Sequence, residues 1–312
     1  MKITIYSWSI SLRFMNPDYE LSALAVQEEL PADLLRRLLR HPQARRATAL
    51  HRRDLTTESI EEIIGLGSAR SLAANSSLPS EVRLRLAEHP ESSVRGAVAA
   101  SLTDAPPGLL ARLAEDQDSL VRMFLAMNDH LPPELLTVLA GDPDANVRQW
   151  VVQHRRDTPE AVRRALLTDP DPNVRNAAAS TYTPPADLLP VLLADPHTRA
   201  ATVRHTGPSP ELAADPDSCV RKAVAAHPDL SAELRDVLAQ DPDPFVRNAI
   251  AARADTPPAV RESLVATLAT DDPLTDWFLS FQRNTHACPP PAPAPPSLTR
   301  EQAEALLARA GL

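Results

Sequence analysis

An all-α solenoid of two-helix repeats is the fold this sequence predicts, and three observations carry it. A motif returns about every 25 residues along most of the chain. Proline is abundant, at 32, and glycine scarce, at 7, so proline has to punctuate the turns. Aromatic residues make up only 4% of the chain although 43% is hydrophobic, so Ala, Leu and Val fill many small helix–helix contacts instead of one thick core.

The motif reads DPDANVRQWVV from Asp142, DPDPNVRNAAA from Asp169, DPDSCVRKAVA from Asp215 and DPDPFVRNAIA from Asp241. Looser copies are HPESSVRGAVA from His89 and DQDSLVRMFLA from Asp116. Aligned on the Val-Arg pair, they place Arg95, Arg122, Arg148, Arg175, Arg221 and Arg247 in one slot, with weaker copies at Arg45, Arg70 and Arg199. Degenerate units flank these, giving about ten units over residues 16–284.

Each motif position has a physical reason. Asp118, Asp144, Asp171, Asp217 and Asp243 lie three residues before the Val, where an Asp N-caps a helix. Pro172 and Pro244 then fall at the first helical position, where a missing N–H is harmless. Val94 with Val98, Val147 with Val151, Val220 with Val224 and Val246 with Ile250 share a helix face. Thr158-Pro159, Thr183-Pro184, Ser209-Pro210 and Thr256-Pro257 start the second helix, whose leucines recur at three or four. The next Asp-Pro stops it. No segment from 20 to 270 alternates with period two. Two such helices cannot bury their apolar faces alone, so neighbouring units must stack. The recurring arginine reads as a structural ladder, pairing with cap aspartates of its own or the adjacent unit.

The combination D-P-D-x-x-V-R-x-A-V-A and T-P-P-E-L-L resembles the leucine-rich repeat variant family over roughly residues 16–270. The resemblance implies a right-handed superhelix of alternating α- and 3₁₀-helices and brings no catalytic residues with it. The founding member holds an iron–sulfur centre on an N-terminal cysteine cluster. Here no cysteine precedes Cys219, so no cofactor is expected. HEAT-like repeats share the D-x-x-V-R portion with a longer period and are the nearest alternative.

The tetrapeptide HRRD occurs at His51 and again at His154, six residues after Arg45 and Arg148 respectively. Both copies therefore fill the same slot, the turn between the two helices of a unit. Kinase-type chemistry is excluded, because the context lacks D-F-G and the stretch GLGSAR lacks the third glycine of a phosphate loop. Other units place unrelated residues there, which reads as a surface turn without fixed chemistry. What remains is a binding edge: Arg45, Arg46, His51, Arg52 and Arg53, with His154, Arg155 and Arg156, present cations to an acidic, extended partner. Cys219 reads as an ordinary helix-start cysteine. His41, His89 and His227 precede prolines too far apart for a metal site. Neither catalytic nor metal-ligating residues are expected.

Net charge is −9, which argues against general nucleic-acid affinity. Residues 34–53 nevertheless carry seven arginines and no acid. No run is long and apolar enough to span a membrane, and the chain reads as cytoplasmic. Pro190, within the leucine run DLLPVLLA, and the short unit after it mark an irregularity between 183 and 214. Residues 1–15 read as an N-terminal cap segment and 285–297 as a Pro-rich linker. Residues 298–312 read as an amphipathic helix, with Thr299 and Gln302 as a capping box, that docks on the last repeat or on another molecule. The expected function is a non-catalytic scaffold for an unidentified protein partner. The alternative is a nucleic-acid binder akin to HEAT-like alkylpurine DNA glycosylases, which a surface lined with Arg and aromatics would favour.

Overall fold

A computed structural model describes residues 17–28, 30–103, 108–154, 157–268 and 298–312. The expected cap segment 1–15 and linker 285–297 lie outside the described residues, as do Arg155 and Arg156. Among the described residues the regular elements are all helices. They are α1 (Pro17–Ala25), α2 (Ala32–Leu38), α3 (Pro42–His51), α4 (Thr57–Gly65), α5 (Ala69–Ala73), α6 (Ser80–Leu86) and α7 (Ser92–Ser101). Then come α8 (Leu109–Ala114), α9 (Ser119–Ala126), α10 (Pro133–Ala140), α11 (Ala145–His154), α12 (Glu160–Leu167), α13 (Pro172–Thr181) and α14 (Leu189–Ala194). The last are α15 (Arg199–Thr206), α16 (Pro210–Ala213), α17 (Ser218–Ala225), α18 (Ala232–Leu238), α19 (Pro244–Ala252), α20 (Pro258–Ala266) and α21 (Arg300–Arg309). The protein is an all-α repeat of the solenoid type, and its chain divides into two compact units: residues 1–151 with 292–312, and residues 152–291.

In the first unit α1, α3, α5, α7 and α9 pack successively along one row, here called the valine row after the Val-Arg motif of α7 and α9. The following helices, the leucine row, pair with them, α4 on α5, α6 on α7 and α8 on α9. Val94 and Val98 of α7 are fully buried between the rows, as are Leu86 of α6 and Leu139 of α10. Each such side chain contributes about 1.5–3 kcal/mol of burial. A Schellman turn closes α4: the Ser68 N–H donates to the Ile63 carbonyl and the Gly67 N–H to that of Ile64. Gly67 supplies the left-handed residue at φ 74° that this stop requires. The glycines of GLGSAR thus end one helix and admit α5 immediately afterwards.

The C-terminal helix α21 folds back onto α1 and α2, the first helices of the same unit, rather than onto the last repeat. Ala303, Leu306 and Leu307 share a core cluster with Leu21, Leu24, Leu34 and Leu38. Thr299 and Gln302 form the capping box at its start. Four polar contacts frame the docking: Leu298 N–H to Gln27 Oε1 at 3.3 Å, Arg300 to Asp33 at 2.9 Å, Arg309 to Glu20 at 2.9 Å, and Arg37 Nη2 to the Leu312 backbone oxygen at 2.6 Å. The helix thus buries its apolar face against the leucines of α1 and α2.

In the second unit α13, α15, α17 and α19 form the valine row, and α16 packs on α18 in the leucine row. Val203, Val220, Val224, Val246 and Ile250 make its core with Leu238 and Leu264. The irregular stretch resolves into three short helices, α14, α15 and α16. Helix α14 begins at Leu189, so Pro190 sits in its first turn, where proline is tolerated, and not in the helix interior. Helix α16 has four residues and is capped by Ser209, whose hydroxyl accepts from Leu212 N–H. The adjoining α15 substitutes buried threonines for apolar residues. Thr198 donates to the Leu192 carbonyl at 2.6 Å and Thr202 to that of Thr198 at 2.8 Å, so neither hydroxyl is left unsatisfied.

Candidate functional site

The repeated charges come first, because most of them are engaged inside the fold. The opening Asp of each D-x-D accepts, through Oδ1, the N–H two residues on: Asp116 from Asp118, Asp142 from Asp144, Asp215 from Asp217 and Asp241 from Asp243, at 2.8–3.0 Å. That Asx turn, with proline between in all of these but Asp116-Gln117-Asp118, delivers the second Asp to the helix start. There Asp118, Asp144, Asp171, Asp217 and Asp243 accept the N–H groups of Leu120, Asn146, Asn173, Cys219 and Phe245. The arginine of the preceding unit meets the opening Asp, not the cap Asp. Arg95 grips Asp116 with Nε and Nη2, both at 2.8 Å, and Arg122 and Arg221 hold Asp142 and Asp241 in the same forked way. Arg175 reaches Asp195 at 2.8 Å and Arg199 reaches Asp215 at 3.0 Å.

The same arginines also bind their own unit. Nη1 of Arg122, Arg148, Arg175, Arg221 and Arg247 donates to the carbonyl of Asp116, Asp142, Asp169, Asp215 and Asp241, six residues back. Burial pushes the Asp116 carboxyl upward, but the Arg95 guanidinium, the Asp118 N–H and the charge of Arg122 outweigh it, so Asp116 titrates below the usual carboxylate range. Asp241 is lowered in the same manner by Arg221 and the Asp243 N–H against its own burial.

The slot of the HRRD histidine also has a job. Ser101 donates to the Ala73 carbonyl at 2.9 Å; Asn128 donates to those of Ala99 and Leu102 at 2.6 and 2.9 Å; Arg253 donates to that of Ala225 at 3.0 Å. Asn75, one residue earlier in its unit, reaches the carbonyls of Ala49 and Arg52 at 3.0 and 2.8 Å. Each acceptor lies at the C-terminal end of the valine helix one unit back, where carbonyls lack helical partners. The slot varies because Ser, Asn and Arg can all donate there. It is an inter-unit cap, not a turn without fixed chemistry.

The structure separates the residues of the expected binding edge. Arg52 is 3% exposed, bonded to Asp54 and to the Glu28 carbonyl, and is not available to a partner. Arg45 donates to Ser68 Oγ at 2.9 Å and to the Leu39 carbonyl at 3.0 Å. His51 and Arg53 are exposed at the end of α3, and His154 at the end of α11. Arg46 is exposed on α3 and makes no ion pair among the described residues; the same holds for Arg70 on α5.

Those two arginines line a groove of about 680 Å³ across α3, α5, α7 and α9. Gln43, Ser68, Ser71 and Ser101 add polar groups, and Ala74, Ala97, Ala100 and Phe124 add apolar surface. No carboxylate, histidine or cysteine lines it. Phe124 closes one end by lying against Gly96 of α7, where an added Cβ would meet its ring at 2.8 Å. Neither Phe124 nor Gly96 was singled out by the motif, but both break the pattern of the repeat. The slot two after the ladder arginine holds Ala47, Ala97, Ala177, Ala201, Ala223 and Ala249, but Leu72, Phe124 and Trp150 in three units. The slot one after holds a glycine only at Gly96. Among the described residues no group of three or more His, Cys, Asp or Glu could hold a metal ion, and no helix is long and apolar enough to cross a membrane.

Residues 220–243 match the family model described as leucine rich repeat variant. Among solved structures the chain is similar to "a leucine-rich repeat variant with a novel repetitive protein structural motif", at 28% identity over 76% of this chain and 84% of that one, with a TM-score of 0.38. No curated protein matches the chain.

Proposed function

We propose that this leucine-rich-repeat-variant-type protein is a non-catalytic interaction scaffold, and that the groove of its first unit is where a partner protein docks. One observation carries the reading. Arg46 and Arg70 are exposed, make no ion pair among the described residues and line one groove from α3 and α5, whereas Arg95, Arg122, Arg175 and Arg221 pair with carboxylates inside the stack. Exposed cations in a groove without carboxylates favour an anionic partner. The lining offers no acid–base pair and no nucleophile–base pair, which supports binding over catalysis.

The nucleic-acid reading draws on the same arginines and on Phe124. It is the weaker one, because the rest of the lining is small and neutral and the chain carries a net charge of −9. A photo-crosslinking residue placed at Ala74, exposed on the groove, tests the choice in the native cell. The expected result is a discrete protein adduct that disappears in the Arg46→Glu/Arg70→Glu variant. An adduct to nucleic acid, or a protein adduct indifferent to both arginines, overturns the proposal.

A further inference from the structure

We infer that the groove reads an extended acidic segment whose two acidic side chains and one apolar side chain are spaced about three residues apart; this rests on the docking reading above. The cations and the apolar end lie on three successive helices of the valine row. Arg46 is on α3, Arg70 on α5, and the Phe124 ring lies over Gly96 of α7. Packed helices sit ~8–10 Å apart, and an extended chain advances ~3.3 Å per residue. Each step from helix to helix therefore spans about three residues. A partner strand crossing the row places an acid at Arg46, a second acid at Arg70 and an apolar side chain at Phe124.

The apolar end is built for contact. Gly96 sits inside α7, where glycine costs about 1 kcal/mol relative to alanine, and its missing side chain is what lets Phe124 lie down. Ser71 and Gln43, neither of them hydrogen-bonded within the fold, are left for the partner's backbone.

The probe is a phage-displayed library of random dodecapeptides panned against the full-length protein. The expected consensus is acid-x-x-acid-x-x-apolar, in either chain direction. A synthetic peptide of that consensus should bind at least tenfold more weakly to Arg70→Glu, which removes an exposed, unpaired side chain and leaves the fold intact. Phe124→Ser should weaken the same peptide while sparing one that lacks the apolar residue. A consensus without acids, unchanged binding to Arg70→Glu, or no selected peptide at all sinks this inference. Selection of peptides with helical three-and-four spacing also sinks it, while leaving the docking reading to stand on the crosslinking result. Displacement of the consensus peptide by an RNA oligonucleotide at equal concentration overturns both.

Discussion

At the residue scale, the Arg–Asp ladder shows how one side chain serves two units. Arg122 donates to the Asp116 carbonyl of its own unit and to both oxygens of Asp142 in the next. The pair is nearly out of solvent, with side chains 13% and 4% exposed. Removing the arginine strands a buried carboxylate, which is far more harmful than losing a surface pair. The row of exposed pairs, Arg36–Glu58, Arg85–Glu61 and Arg112–Glu88, contributes little by comparison. Arg122→Ala should therefore lower stability by about 2–4 kcal/mol in urea unfolding, and Arg112→Ala by no more than about 0.5 kcal/mol. The ladder also fixes a pH response. Asp241 titrates below its ordinary value in the folded protein, so its stabilisation is present above about pH 4 and is lost as pH falls through the depressed value. The urea midpoints of wild type and Asp241→Asn should differ by a constant amount from neutral pH to about pH 5 and converge below about pH 4. A gap that widened on acidification would refute the assignment. The slot of these charges was legible in the sequence from the spacing alone. Which Asp each arginine would choose was not, because that depends on the distance between stacked units.

At the element scale, the Asp-capped helix starts were legible, because a cap and a first-turn proline are local signals. Of the four Thr-Pro and Ser-Pro starts only Ser209-Pro210 held: α12 and α20 begin one residue later, with Pro159 and Pro257 as uncapped N-cap residues, and α14 begins at Leu189, beyond Thr183-Pro184. The destination of α21 was not legible, although its capping box and its Ala303, Leu306 and Leu307 face were. An amphipathic helix states that it has a partner and not which one. Here the partner is the α1–α2 pair of its own unit, more than 260 residues away in sequence, as the Arg300–Asp33 bond shows. Leu307 is fully buried in that contact. Leu307→Ala should remove about 2–4 kcal/mol from the docked state, read as faster hydrogen exchange in residues 17–38 as well as in 300–309. Because the contact lies within one unit of one chain, protection of 300–309 should be unchanged on hundredfold dilution. Protection that fell with dilution would show that the helix docks on a second molecule.

At the scale of the whole molecule, composition and period announced the fold, since a 25-residue repeat of Ala, Leu and Val with proline turns has few other ways to bury itself. The binding surface was much less visible. The run of seven arginines over residues 34–53 reads as one basic face, but the fold disperses it. Arg36 goes to Glu58, Arg37 to the Leu312 oxygen, Arg45 to Ser68 and Arg52 to Asp54. Arg46 brings an exposed charge to the groove, Arg45 lines it while bonded to neutral acceptors, and their companion Arg70 comes from the next unit. The dispersal limits what the protein can do with a polyanion. Affinity for duplex DNA falls with salt at a slope of about −0.9 for each phosphate neutralised. Three guanidinium groups without a carboxylate partner line the groove, Arg45, Arg46 and Arg70, and allow a slope of about −3, on a chain whose net charge of −9 repels the duplex at longer range. Binding at physiological salt should be weaker than about 10 µM, within the ordinary non-specific range, and Arg70→Glu should lower the slope by about one. A salt titration of a fluorescent duplex decides this. Submicromolar affinity with a slope steeper than about −4 would mean that more cations reach the phosphates than the groove presents, and the nucleic-acid reading would then replace the docking one.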